Sequence, residues 1–289
     1  MVRTAVVMDS TGYLTPDILT KCQIHIIPLT VTIDAQTYPE TDLSNTDFLA
    51  KIAATSVLSV TSQPSVGAFL ELYEGLFAAG YQEIVSIHLS QKISGTVRSA
   101  EMAKSMASRP DIHVFDSGSA ALGLGLLAWT AGEWALDGAS GGEIIKRLVI
   151  LREQTRLFFI VDSLENLRLG CRIGGAAALL GTLLQIKPIL HFNTEYEIDV
   201  FDKVRSKGRA WQKVLEELEE TARGGGLYRI CVQHVNIPAE GERLLAEVKE
   251  RFPGHDVRLF EAGPVIATHV GSGAFGLAFQ PLQYNIQQA

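Results

Sequence analysis

The chain has 289 residues, 47% of them hydrophobic and 20% charged, with a formal net charge of −7. That length suits two ordinary domains, and the apolar content excludes a largely disordered chain. The negative balance excludes a general nucleic-acid or anionic-membrane surface, which would need a basic face for phosphates.

From the N-terminus, TAVVMDS and IHIIPLTVTID read as strands, short and rich in β-branched residues. LTPDILTKC between them reads as a helix with Thr15 as N-cap and Pro16 at the first helical position, so the chain opens β-α-β. Helical patterns over Asn45 to Ala54 and in FLELYEGLFAA follow, then strand EIVSIHL, a helix from Gly95 to Ser108, strand IHVFDS and helices through Ala120 to Arg152. Such alternation implies a parallel sheet covered by helices.

After RLFFIVDS the texture changes. A small-residue helical patch, GGAAALLGTLLQ, leads to KPILHFN and YEIDVFDKV, adjacent strands joined by a turn at Asn193-Thr194. Helix AWQKVLEELEETA, strand YRICVQHV, helix GERLLAEVKERF, strand HDVRLFEA and terminal strands around Pro264 to Gln280 complete the chain. The fold class expected is a Rossmann-like α/β domain over residues 1–156, followed by a second α/β domain with a mixed or antiparallel sheet over 157–289.

Cys22, Cys171 and Cys231 are widely spaced and form no C-x-x-C, which suggests neither a disulfide framework nor a cysteine metal site. The opening MVRTAVVMDSTG turns polar after one short apolar run, unlike a signal peptide, and a cytoplasmic location is expected.

GSGAFG, Gly271 to Gly276, fits G-x-G-x-x-G. A dinucleotide site needs a crossover helix, a further strand and an acidic residue beyond the glycines, and AFGLAFQ reads instead as a strand. The near-match Gly123 to Ala128 opens into a helix with no acidic strand end after it, and close helix packing explains its glycines better. No phosphate loop of the form G-x-x-x-x-G-K-[ST] is present, so no nucleotide cofactor and no metal are expected.

Three other stretches carry polar groups that suit an anion. VTSQPS offers Thr61 and Ser62, with Ser65 as cap of the next helix. HLSQKISGT places Ser94, Gly95 and Thr96 where a strand turns into a helix, whose first N–H groups lack partners and favour negative charge. GPVIATH reads as a strand carrying His269 into a glycine turn. Taken singly, these residues also read as caps and a core histidine. A serine hydrolase using Ser94 as nucleophile, His269 as base and Asp9 or Asp116 as orienter is the rival reading, although no G-x-S-x-G elbow occurs.

DST at residues 9–11, TSQPS, SGT, FDSGSAALGLG, SLENLRLGCRIG, QIKPIL, KVRSKGRA and GPVIATHVGSGAFG, in that order, resemble the DegV family. These are bacterial fatty-acid-binding proteins that include the fatty-acid-binding subunit of fatty acid kinase. The resemblance implies a lipid lying between the two domains, its carboxylate held by Thr61, Ser94 and His269, with Ser62, Gly95 and Thr96 beside them. It also implies roles for Arg172 and Arg205 at the pocket mouth or on a partner-facing surface. A long-chain fatty acid is then the ligand, a separate ATP-binding kinase subunit the partner, and phospholipid synthesis the context. Transient membrane contact is left open, as is a lipid-sensing regulatory role. The chain departs from the family pattern at Val66, Ala68, Gln91, Lys92, Cys171 and Ser272, none of which is an implied head-group ligand.

Overall fold

Thr4 through Asp9 are all buried, and a strand without an exposed face belongs at the centre of a sheet covered on both sides. The structure is a computed structural model that describes residues 2–179 and 186–283. It forms two units, one up to Glu153 and one from Gln154 on. The first begins with β1 (Thr4–Asp9), α1 (Pro16–Lys21) and β2 (Ile24–Ile27), with β2 parallel to β1.

The apolar run IHIIPLTVTID does not continue as one strand. Pro28 has no N–H for a ladder, and the chain leaves the parallel sheet there. β3 (Thr30–Ile33), β4 (Gln36–Pro39) and, after α2 (Asn45–Ala53), β5 (Val60–Ser62) form a separate antiparallel sheet in the order β4-β3-β5. The buried Glu40 ties this sheet to the turn after β1, accepting hydrogen bonds from Ser10 Oγ and, at 2.7 Å, from the Tyr13 hydroxyl.

α3 (Val66–Ala78), β6 (Glu83–His88), α4 (Thr96–Ala107), β7 (Ile112–Asp116), α5 (Ala121–Leu136) and α6 (Gly141–Gln154) follow. The parallel sheet has the order β2-β1-β6-β7. Ala5 and Val7 pack with Phe69 and Tyr73 of α3 and with Ala100 and Ala103 of α4. Successive residues of a strand face opposite ways, so α5, which packs along β1, β2 and β6, covers the other face. β1 has β2 on one side and β6 on the other. The carboxyl ends of β1 and β6 therefore flank a topological switch point, where open α/β sheets hold their ligands.

The second unit holds β8 (Arg156–Ile160), α7 (Glu165–Leu169), β9 (Lys187–Phe192), β10 (Ile198–Val204), α8 (Lys207–Ala222), β11 (Tyr228–His234), α9 (Pro238–Arg251), β12 (Asp256–Glu261), α10 (Pro264–Val270) and β13 (Phe275–Pro281). Its sheet runs β10-β9-β8-β13-β11-β12, with β11 and β12 parallel and the other pairs antiparallel. Phe158, Ile230, Val232 and Leu277 from the sheet join Trp211, Val214 and Leu244 from α8 and α9 in one core. Of GGAAALLGTLLQ, Gly174–Leu179 is a 3-10 helix, and residues 180–185 lie outside the described residues.

Gly125 of GLGLLA and Gly132, further along the same helix, serve packing. A Cβ on Gly125 would run into the Gly12 carbonyl, and one on Gly132 would stand 2.9 Å from Cys22 Cβ. Gly125→Ala should accordingly destabilise the protein by about 1–3 kcal/mol in urea denaturation. Gly75→Ala, in the interior of α3 where nothing stands within 4 Å, should instead stabilise it by up to about 1 kcal/mol. Equal effects at the two sites would contradict this packing account.

Candidate functional site

In the first unit the TSQPS and SGT stretches meet. Thr61 lies in β5 opposite Val31, and Ser62 opposite Thr30, so β3 sets their positions. Gln63 then reaches across to α4, where its Nε2 donates to Ser99 Oγ at 3.2 Å. Gly95 lets that side chain pass, since a Cβ there would collide with the Gln63 amide. Ser65 caps α3 by accepting from Ala68 N. Residue 94 is partly exposed, and its hydroxyl lies 2.9 Å from Thr96 Oγ1 and accepts from Thr96 N at 3.3 Å. Ser94, Gly95 and Thr96 thus stand where α4 opens, beside the switch point.

The loops at the carboxyl ends of the strands are stitched together. Ser90 N donates to Ser119 O at 2.7 Å and Ser117 N to His88 O at 2.9 Å. Asp9 and Asp116, the orienting acids of the hydrolase reading, are both engaged locally. Asp116 accepts from Gly118 N and Gln91 N. Asp9 accepts from Thr11, Leu89 and His88. Lys92 is exposed, and its N–H donates to Ser90 Oγ.

In the second unit His269 does not sit on a strand. Pro264–Val270 is a short helix, α10, with Pro264 in its first turn and His269 in its last, ended by Gly271 at φ 78°. The β-branched residues Val265, Ile266, Thr268 and Val270 suggested a strand. Proline's pre-set φ at a helix start outweighs that weak preference, and packing of the buried Val265 and Ala267 holds the turn. Asn166 of α7 donates to Thr268 O at 3.3 Å, which joins SLENLRLG to GPVIATH. The imidazole lies over Gly170, where a Cβ would meet its Nδ1. Arg172 donates to the Gly170 carbonyl. Cys171, at φ 56°, makes the turn between them at a position that favours glycine. Arg205 stands exposed between β10 and α8, and Ser272 accepts from Asn236 Nδ2 at 3.1 Å.

Burial, and after it the Arg172 cation, lower the His269 pKa to about 4. The ring is neutral near pH 7, a donor and an acceptor rather than a charge. Thr61 and Ser94 belong to one unit and His269 and Arg172 to the other. Gln63, Asn166 and Gly170 were missed from sequence. Quoted motifs contain or adjoin all three, but only contact across the fold marks them. Among the described residues no group of three His, Cys, Asp or Glu could hold a metal ion, and no helix is long and apolar enough to cross a membrane.

A sequence profile described as "Uncharacterised protein, DegV family" matches residues 3–282. The chain belongs to the DegV family. A DegV domain-containing protein of Listeria monocytogenes is 38% identical over 276 residues, which is 95% of this chain and 97% of that one. The structure of a fatty-acid-binding DegV family protein from Thermus thermophilus superposes with a TM-score of 0.91 at 30% identity, covering 97% of this chain and all of that one. DegV of Bacillus subtilis, described as a fatty acid binding protein, gives 0.88 at 37% identity over 97% of this chain and all of its own. The parallel sheet followed by a mixed sheet is thus the DegV architecture.

Titration of the histidine Hε1 signals by NMR should place the His269 midpoint near 4. The unfolded chain then binds a proton at its ordinary 6.5 before the folded one does, so stability contributed by the neutral ring is lost as pH falls from 6.5 towards 4. His269→Gln should remove that part of the loss. A midpoint near 6.5 would contradict the burial argument.

Proposed function

We propose that this chain binds a long-chain fatty acid in an apolar tunnel between a domain of residues 1–156 and one of residues 157–289. The hydroxyls of Thr61 and Ser94 and the neutral imidazole of His269 hold the carboxylate, with Ser62, Gly95 and Thr96 around it and Arg172 and Arg205 toward the mouth or a partner. Membership of the DegV family over nearly the whole chain, with solved members described as binding fatty acids, carries the reading.

The physical chemistry suits such a ligand. Each methylene taken out of water contributes about 0.8 kcal/mol, so the tail dominates affinity. A carboxylate leaving water must be hydrogen-bonded, and bonds to an ion contribute about 1.5–3 kcal/mol each. Neutral donors satisfy it without locking it into an ion pair, which leaves an oxygen able to attack a phosphoryl donor. The chain has no phosphate loop of its own, so a separate kinase subunit would supply ATP and the acyl phosphate would form there, upstream of phospholipid synthesis. The protein is then a carrier and not itself the enzyme.

Organic extraction of the purified protein followed by mass spectrometry should release fatty acid in near-stoichiometric amount. A well-folded protein that is empty and takes up neither palmitate nor oleate would refute the proposal. Ser94→Ala or His269→Ala should weaken fatty acid binding about 10- to 100-fold, and leave a fatty alcohol of the same length within a few-fold. Equal losses for acid and alcohol would make these residues structural only.

A further inference from the structure

Ser86, His88 and Asp9 stand in the arrangement of a hydrolytic triad. Ser86 Oγ lies 2.7 Å from His88 Nε2, and His88 Nδ1 lies 3.3 Å from Asp9 Oδ2. All three side chains are wholly buried. Triad chemistry requires an accessible nucleophile, so this cluster does something else.

A fourth group fixes the direction of the protons. Tyr73 of α3, equally buried, donates its hydroxyl hydrogen to Ser86 Oγ at 2.8 Å. Burial pushes the phenol pKa up, so the tyrosine keeps that hydrogen. Ser86 then has its own hydrogen left for His88 Nε2, and a neutral ring that accepts at Nε2 carries its hydrogen on Nδ1, facing Asp9. Each link hands a donor to the next. The row ends on a carboxylate, the one group in it that only accepts.

Asp9 uses its remaining lone pairs on backbone and on the Thr11 hydroxyl, which donates from Oγ1 at 2.6 Å. It accepts from Leu89 N at 2.8 Å and from Thr11 N at 3.1 Å. Leu89 begins the turn that carries Ser94. In that turn the buried Ser90 accepts at its carbonyl from Ile93 N at 3.1 Å and Ser94 N at 3.2 Å, and at Oγ from Lys92 N at 3.2 Å. The polar row beneath the sheet edge is thereby continuous with the loop that presents the Ser94 hydroxyl.

We propose that Asp9 is a positioning residue for the ligand head group: oriented by His88, its carboxylate pins the backbone at Leu89 and, through Ser90, sets the place of Ser94 Oγ. The proposal rests on the fatty-acid reading above and adds to it the residue that shapes the carboxylate site from behind. Asn at this position keeps one acceptor oxygen in place of two, so Leu89 N–H and His88 Nδ1–H, which share Oδ2, compete for it with Thr11 N–H and the Thr11 hydroxyl, which share Oδ1.

The test compares the intact wild-type protein with Asp9→Asn, and with Leu76→Ala as a variant that removes only buried apolar volume from α3. Binding of oleate and of oleyl alcohol is measured, together with hydrogen exchange of the amides at 89–94 without ligand. Asp9→Asn should weaken oleate about tenfold or more, hold oleyl alcohol within about twofold, and speed exchange at 89–94 about tenfold or more. Leu76→Ala should lower Tm and leave the ratio of acid to alcohol affinity as in the wild type. Unchanged exchange with unchanged oleate affinity overturns the proposal, and so does an equal loss of acid and alcohol. If Asp9→Asn does not fold, Ser86→Ala decides: it removes the hydrogen that holds the His88 tautomer, and unchanged loop exchange and oleate affinity would again overturn the proposal. The exchange measurement contains no lipid. A wild type that does not distinguish oleate from oleyl alcohol would therefore count against the fatty-acid reading, while faster exchange in Asp9→Asn would still support positioning.

Discussion

Two strands that lie side by side in space, but about 80 residues apart in the chain, are joined at their carboxyl ends by one buried carboxylate. Asp9 accepts hydrogen bonds from Thr11 N, Thr11 Oγ1, Leu89 N and His88 Nδ1. A buried carboxylate without such partners would cost far more than any packing gain could offset, so both loops must adopt the shapes that supply them. The turn after β1 and the turn before α4 are consequently defined together. The hydroxyl of Ser94 inherits its position from that agreement.

The second unit solves a different problem. Two features keep the His269 ring neutral near pH 7: burial, and the cation of Arg172 nearby. Both act in the same direction, whereas a carboxylate partner would have opposed them. Gly170 makes the arrangement sterically feasible, because any side chain there would occupy the space of the imidazole.

Much of the alternation was legible in the sequence because its signals are local. β-branched runs gave β1, β6, β7 and β11, and amphipathic patterns gave α8 and α9. Thr15-Pro16 marked the start of α1, and Ser65 is the cap that its spacing suggested. The chemistry of DST, TSQPS, SGT and GPVIATH could be quoted because short polar loops stand out against apolar strands. The errors came where local preference was ambiguous. Val, Ile and Thr around His269 favour a strand weakly, and only packing decided for a helix. Pro28 was a visible breaker inside an apolar run, yet where the chain goes after the break depends on which partner strand is available, and β5 lies about 30 residues downstream.

Residue types, most of the strand and helix alternation and the family were legible in the amino-acid sequence alone, since hydrophobic period, turn chemistry and motif order are properties of neighbouring residues. The tertiary structure decided what each polar residue is joined to. His88 and Ser86 lie two positions apart on one strand, and nothing local says that Tyr73 and Asp9 complete a row with them. Gln63 finds Ser99, and Asn166 finds Thr268, only after the chain has folded. Hydrogen bonds act over about 3 Å of space whatever the separation along the chain, and that is why partners at long sequence range stayed hidden until the fold brought them together.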